Sequence, residues 1–93
     1  MVKIFIFSGY GHNQSFELVG NSVYIGRSEE NDIQIADMSV SRRHLKIKEE
    51  NDRLYIKDLN TQNGTYVNGS QIAPDEYYEI KENYPIVIGM NNP

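Results

Sequence analysis

Cysteine and tryptophan are absent, and histidine occurs only at His12 and His44. Without cysteine there is no disulfide scaffold, no thiolate nucleophile and no zinc ribbon. Two histidines do not make a histidine-rich metal site, so no metal and no cofactor are expected. No apolar run approaches the roughly 18 residues that a membrane-spanning helix needs. The opening Met1–Phe7 lacks an extended apolar core and a small-residue cleavage site, so no signal peptide is read there and a cytoplasmic location is expected. Excess positive charge is missing too: 13 acidic residues against 9 basic give a net charge of −4. Global charge therefore argues against nucleic acid or an anionic membrane as partner. Length leaves room for one domain, spanning 1–93, with a small core.

What is present is a series of short runs separated by turn chemistry. Val2–Phe7 is β-branched and aromatic on both phases, which predicts a strand covered on both faces. Ser15–Leu18 and Val23–Ile25 follow, the latter ended by Gly26. Ile33 and Ile35 fall on one face. Leu45-Lys46-Ile47-Lys48 alternates, with its lysines outward, and Leu54-Tyr55-Ile56-Lys57 alternates again. The acidic stretch Glu49–Asp52 between them reads as a hairpin turn. Thr65–Val67 followed by Asn68-Gly69 is a tight hairpin signal of the I′ kind, and Ile86–Ile88 closes the pattern. No segment has a convincing helical period. Frequent turns between short strands predict an all-β sandwich or barrel.

Charge is unevenly placed. Seven of the nine basic residues lie between Arg27 and Lys57, with Arg42, Arg43, Lys46 and Lys48 clustered after Ser41. Polar turns flank the cluster: Gly26-Arg27-Ser28 before it and Asn60–Thr65 after it. Loops of a sandwich can converge at one end, where these would offer guanidinium groups, hydroxyls and amides. Arginine's planar fork matches phosphate oxygens. Serine adds a hydroxyl donor, and asparagine can both donate to and accept from a peptide backbone.

Three signatures in order, Gly26-Arg27, then Ser41-Arg42-Arg43-His44, then Asn63-Gly64-Thr65 with Asn68-Gly69, make the sequence resemble a forkhead-associated (FHA) domain over nearly the whole chain. The dipeptide alone carries nothing and Ser-x-x-His little. The set, with two alternating strands between its last two members, is specific. The resemblance implies a sandwich of two twisted antiparallel sheets with binding loops at one apex. It implies recognition of a threonine-phosphorylated protein or peptide, without catalysis. Arg27, Ser41 and Arg42 resemble the residues that contact phosphate, and Asn63 the amide that pins the ligand main chain. Gln62 corresponds to a residue lining the same groove. Ser39 and Val40 stand where family members choose a ligand side chain beyond the phosphothreonine. Gly26, His44, Gly64, Thr65, Asn68 and Gly69 match structural positions. The family's usual strand after Ile88-Gly89 has little sequence left to form it, so it is short, absent or removed. A module of a longer protein is expected.

Plainer readings stand beside these. Arg42-Arg43 alone would be a solvated surface pair. Ser41 and His44 as nucleophile and base lack a nucleophile elbow, and their spacing does not aim one at the other. His12 sits in a glycine-rich loop as an exposed side chain. Tyr77, Tyr78 and Tyr84 read as packing at the sandwich rim. Two other functions remain: a phosphate-independent contact module, within its own chain or with another protein, and, more remotely, a basic-patch binder of nucleic acid. The negative charge and scattered aromatics weigh against the last.

Overall fold

The computed structural model describes residues 3–8, 13–18, 20–81 and 83–89. The expectations for His12 and for the chain after Gly89 fall outside these residues.

The inward phase of each alternating run builds the core. Ten strands form in order among the described residues: β1 (Lys3–Ser8), β2 (Gln14–Glu17), β3 (Ser22–Gly26), β4 (Ile33–Gln34), β5 (Leu45–Glu50), β6 (Arg53–Asp58), β7 (Thr65–Val67), β8 (Ser70–Gln71), β9 (Tyr77–Ile80) and β10 (Ile86–Ile88). One sheet runs β2-β1-β10-β7-β8 and the other β4-β3-β5-β6-β9. Ile4, Ile6, Ile86 and Ile88 of the first pack against Val23, Ile25, Leu45, Ile47, Leu54 and Ile56 of the second. Each fully buried aliphatic chain contributes about 1.5–3 kcal/mol, so this isoleucine-rich layer is the main force holding the sheets together.

Both expected hairpin turns are formed, and each is of the I′ kind. Asn68 and Gly69 take φ of 49° and 87° between the Val67–Ser70 pair. Asn51 and Asp52 take φ of 53° and 63° between Glu50 and Arg53. Such paired positive φ values match the strand twist.

Two features differ from the sequence reading. Most strand pairs are antiparallel, but β1 pairs β10 in parallel and β3 pairs β4 in parallel. Alternation reports which face a residue takes, not the direction of its neighbour. The first strand is covered on one face only: Phe5 is 43% and Phe7 38% exposed. A two-layer sandwich leaves each sheet's outer face to solvent, and here the Lys3 ammonium lies 5.7 Å from the Phe5 ring centroid.

Pairing also sets where the loops go. Ile25 pairs Leu45, and Leu45 pairs Asp58. The end of β3, the start of β5 and the end of β6 therefore lie in one row, with Arg27, His44 and Leu59 just beyond it.

Candidate functional site

Gly26 fixes the closest approach at this end. A Cβ there would run into the Arg42 carbonyl and the Arg43 Cα, which are backbone and have little room to move. With glycine, the Arg27 and Ser28 amides reach the Ser41 and Arg42 carbonyls at 2.9 and 3.0 Å. The 27–28 and 41–42 segments are zipped together beyond the sheet. Asn31, buried, reinforces them: its Nδ2 donates to the Ser28 and Arg42 carbonyls, each at 2.7 Å.

The Arg27 side chain is positioned from the same loop. Its Nε–H donates to the Val40 carbonyl at 2.9 Å. The two terminal nitrogens of the fork have no protein acceptor among the described residues, so their donors are available to an anion. Val40 itself differs from its expected role as a selector of ligand side chains. It is 1% exposed, its side chain belongs to the core, and only its backbone serves the site. A valine in this loop is drawn inward because its aliphatic surface gains more in the core than at a wet rim. Ser39 is also held: its Oγ and its amide both donate to Asp37 Oδ1, at 2.6 and 2.9 Å.

His44 is fully buried beneath this loop. Its Nδ1 accepts from the Ser41 amide at 3.0 Å, and its Nε2 meets the Gly64 carbonyl at 2.9 Å. An amide can only donate and a carbonyl only accept, so the ring is neutral with its hydrogen on Nε2. Burial lowers its pKa below the ordinary histidine value, against the opposing pull of the Gly64 carbonyl and the Asp58 charge. The ring thus joins the Ser41 loop to the loop before β7.

That second loop hangs from Asp58. Its Oδ1 accepts from the Thr61 and Thr65 hydroxyls at 2.7 and 2.6 Å, and its Oδ2 accepts from the Thr61 amide at 3.0 Å. The Thr61 hydroxyl then accepts from the Gly64 amide at 3.0 Å. Asn63 crosses to the first loop, its Nδ2 donating to the Ser39 carbonyl at 2.8 Å.

The result is an open cleft of about 190 Å³ lined by Arg27, Met38, Ser39, Val40, Ser41, Arg42, Gln62 and Asn63. Every residue expected to touch phosphate or peptide lies on it. Gly26, His44, Gly64 and Thr65 lie beneath or behind it, while Asn68 and Gly69 form a hairpin turn. The Ser41 hydroxyl and the Arg42 side chain have no protein partner among the described residues. Arg43, next in sequence, points elsewhere: its guanidinium stacks over Tyr24 at 4.5 Å.

Sequence reasoning missed Met38, Asn31 and Asp58. Met38 is 84% exposed at the cleft. Asn31 had no signal, since it sits in an irregular polar stretch. Asp58 had one: it shares the inward phase of Leu54 and Ile56.

Comparison with known proteins gives a consistent family. A family model described as FHA domain matches residues 23–89. The chain is 33% identical over 79 residues to the FHA domain-containing protein FhaA of Mycobacterium tuberculosis, covering 85% of this chain and 14% of that protein. The FHA domain of CT664 protein from Chlamydia trachomatis superposes with a TM-score of 0.78 at 29% identity, covering 96% of this chain and 88% of that one. A structure from a structural and functional analysis of phosphothreonine-dependent FHA domain interactions superposes with a TM-score of 0.76 at 27% identity, covering 96% and 86%. The chain spans only a small part of the curated relatives it matches, 14% of one and 18% of another.

Proposed function

The chain belongs to the FHA domain family, and from that premise we propose that it reads phosphothreonine in extended segments of partner proteins, as a regulatory module of a longer polypeptide. The observation that carries this reading is the cleft: a guanidinium fork, a hydroxyl and a second arginine without protein partners, on loops held from behind by buried hydrogen bonds. A site braced in this way needs little ordering when ligand arrives, which favours affinity.

In this reading the phosphate sits between the Arg27 terminal nitrogens, the Ser41 hydroxyl and Arg42. It carries about −1.5 to −2 charge at pH 7. Each charge-assisted hydrogen bond is worth roughly 1.5–3 kcal/mol. Two or three of them separate phosphorylated from bare peptide by about 3–6 kcal/mol, or roughly 10²–10⁴-fold. Asn63 keeps its amide oxygen for the ligand's main chain, Gln62 lines the groove, and Ser39 acts through its position in the loop. Met38 offers apolar surface to a neighbouring ligand side chain. Phosphoserine lacks one methyl, worth about 0.8 kcal/mol where it is buried, so the preference for threonine is modest. The function is binding without catalysis, in the cytoplasm where kinases and phosphatases set the signal.

The test is titration of a degenerate peptide pool in phosphothreonine, phosphoserine and unmodified forms, against wild type and Arg27→Ala. The expected result is binding of the phosphorylated pools, the phosphothreonine pool more tightly, and its loss in a folded variant. Equal binding of the unmodified pool, or retained binding by Arg27→Ala, overturns the reading and leaves a phosphate-independent contact surface.

A further inference from the structure

Four of the basic residues that do not line the cleft, Arg43, Lys46, Lys48 and Lys57, come together elsewhere. On the outer face of the β4-β3-β5-β6-β9 sheet, Tyr24 pairs Lys46, Lys46 pairs Lys57, and Lys57 pairs Tyr77. One row across four strands thus reads Tyr-Lys-Lys-Tyr. Arg43 lies over Tyr24 at 4.5 Å, beside Lys46 at 5.3 Å from the same ring. Lys57 and Lys48 lie 4.6 and 4.1 Å from the Tyr77 ring.

The carboxylates of this sheet that pair with cations lie toward its other end. Glu50 takes Lys48 at 3.4 Å, and Glu79 takes Arg53 and Lys81 at 3.7 and 3.5 Å. Asp32 accepts from the Tyr24 amide at 2.7 Å. No carboxylate pairs with Arg43, Lys46 or Lys57 among the described residues. Like charges directly opposite on adjacent strands repel, yet Lys46 and Lys57 face each other with nothing anionic between them.

We propose that this row is a second binding surface, for an acidic segment of a polypeptide laid along the sheet with its carboxylates at Lys46, Lys57 and Arg43. The chemistry of the face selects that ligand. The faces of Tyr24 and Tyr77 already carry cations, so they are not open platforms for stacked bases. Ammonium groups on flexible stems suit carboxylates of loosely defined position. Lys46 and Lys57 face each other on neighbouring strands about 4.8 Å apart, so one carboxylate laid between them meets two ammonium groups. The surface is distinct from the cleft and stands whether or not the cleft reads phosphothreonine.

The test uses an alternating Glu–Gly peptide free of serine and threonine, an alternating Gln–Gly control and oligo-dT. Each is titrated at low and high salt into wild type, Arg27→Ala and Lys46→Gln/Lys57→Gln, with amide chemical shifts followed by NMR to verify folding and locate contacts. The expected result is binding of the Glu–Gly peptide to wild type and Arg27→Ala alike, weakened about tenfold in the double variant, with shifts at Tyr24, Lys46, Lys57 and Tyr77. Absence of binding, binding indifferent to the double variant, or shifts confined to the cleft would overturn the proposal. Tighter binding of oligo-dT through the same residues would also overturn it, in favour of a nucleic-acid surface.

Discussion

The Ser41 amide donates to Nδ1 of His44 over 3.0 Å, and this bond ties the loop bearing the phosphate-facing hydroxyl to a ring with no exposed surface. The bond exists only while Nδ1 is unprotonated. A proton there would turn the acceptor into a donor facing a donor, in a place with no water to replace the partner.

Stability should therefore depend on pH through His44. Its folded pKa lies below the 6.5 of the unfolded chain, chiefly because burial disfavours the charged ring. Below 6.5 the unfolded chain takes up a proton that the folded chain resists, so stability falls as pH falls toward the folded pKa. Above 6.5 the contribution is complete. Urea midpoints measured between about pH 7.5 and 5 should drop on the acid side, and His44→Gln should flatten that part of the curve. A midpoint unchanged across the window in wild type would contradict the assignment. Measuring without peptide keeps the phosphate's own titration out of the result.

Gly26→Ala should damage both fold and cleft. The added methyl meets the Arg42 carbonyl and the Arg43 Cα, with no flexible side chain to move aside. Relief requires separating β3 from the loop, which lengthens the Arg27 and Ser28 amide bonds to Ser41 and Arg42. Overpacking of this kind costs about 1–3 kcal/mol. Denaturant unfolding should show that loss, and phosphopeptide affinity should fall even where the variant remains folded. Wild-type stability would show that the contact relaxes freely.

Asp58→Ala should be the most destabilising change near the site that touches no ligand. It strips acceptors from the Thr61 and Thr65 hydroxyls and from the Thr61 amide. Hydrogen bonds to a charged group are worth roughly 1.5–3 kcal/mol each, and a buried donor left unpaired adds its own cost. The expected loss is at least about 3 kcal/mol of unfolding free energy, a large part of the total for a domain of this size. Thr65→Val, which removes one hydroxyl and leaves an isosteric methyl, should cost distinctly less. Equal losses in the two variants would place the effect elsewhere.

The same residues mark how far the sequence could be read. Alternation in Leu45–Lys48 and Leu54–Lys57 fixed the strands and their inward faces, and Asn68-Gly69 fixed a hairpin. The signatures around Arg27, Ser41 and Asn63 located the loops of the cleft. What escaped was whatever depends on pairing between distant segments. The parallel partner of β1 lies at the other end of the described chain. Tyr24 and Tyr77 look scattered in sequence but share one row through three strand pairings. Val40 and Asn31 look like loop residues, and only the folded loop shows that one is core and the other a buried brace.

Asn63 carries the last prediction because its two ends do different things. Its Nδ2 donates to the Ser39 carbonyl, while its oxygen is left for a ligand's main-chain amide. Asn63→Ala removes both and frees the Ser39 loop from the loop before β7. Affinity for a phosphothreonine peptide should fall by about tenfold, in line with one ligand hydrogen bond and some loss of preorganisation. Selectivity over the unmodified peptide should persist, because Arg27 and Ser41 still meet the phosphate. Asn63→Asp should be worse than alanine: it loses the donor to Ser39 and sets a negative charge beside a dianion. Titrating both variants with phosphorylated and bare peptide separates these effects. Unchanged affinity in Asn63→Ala would remove the main-chain clamp from the mechanism, and loss of phosphate selectivity would move Asn63 into the phosphate contact itself.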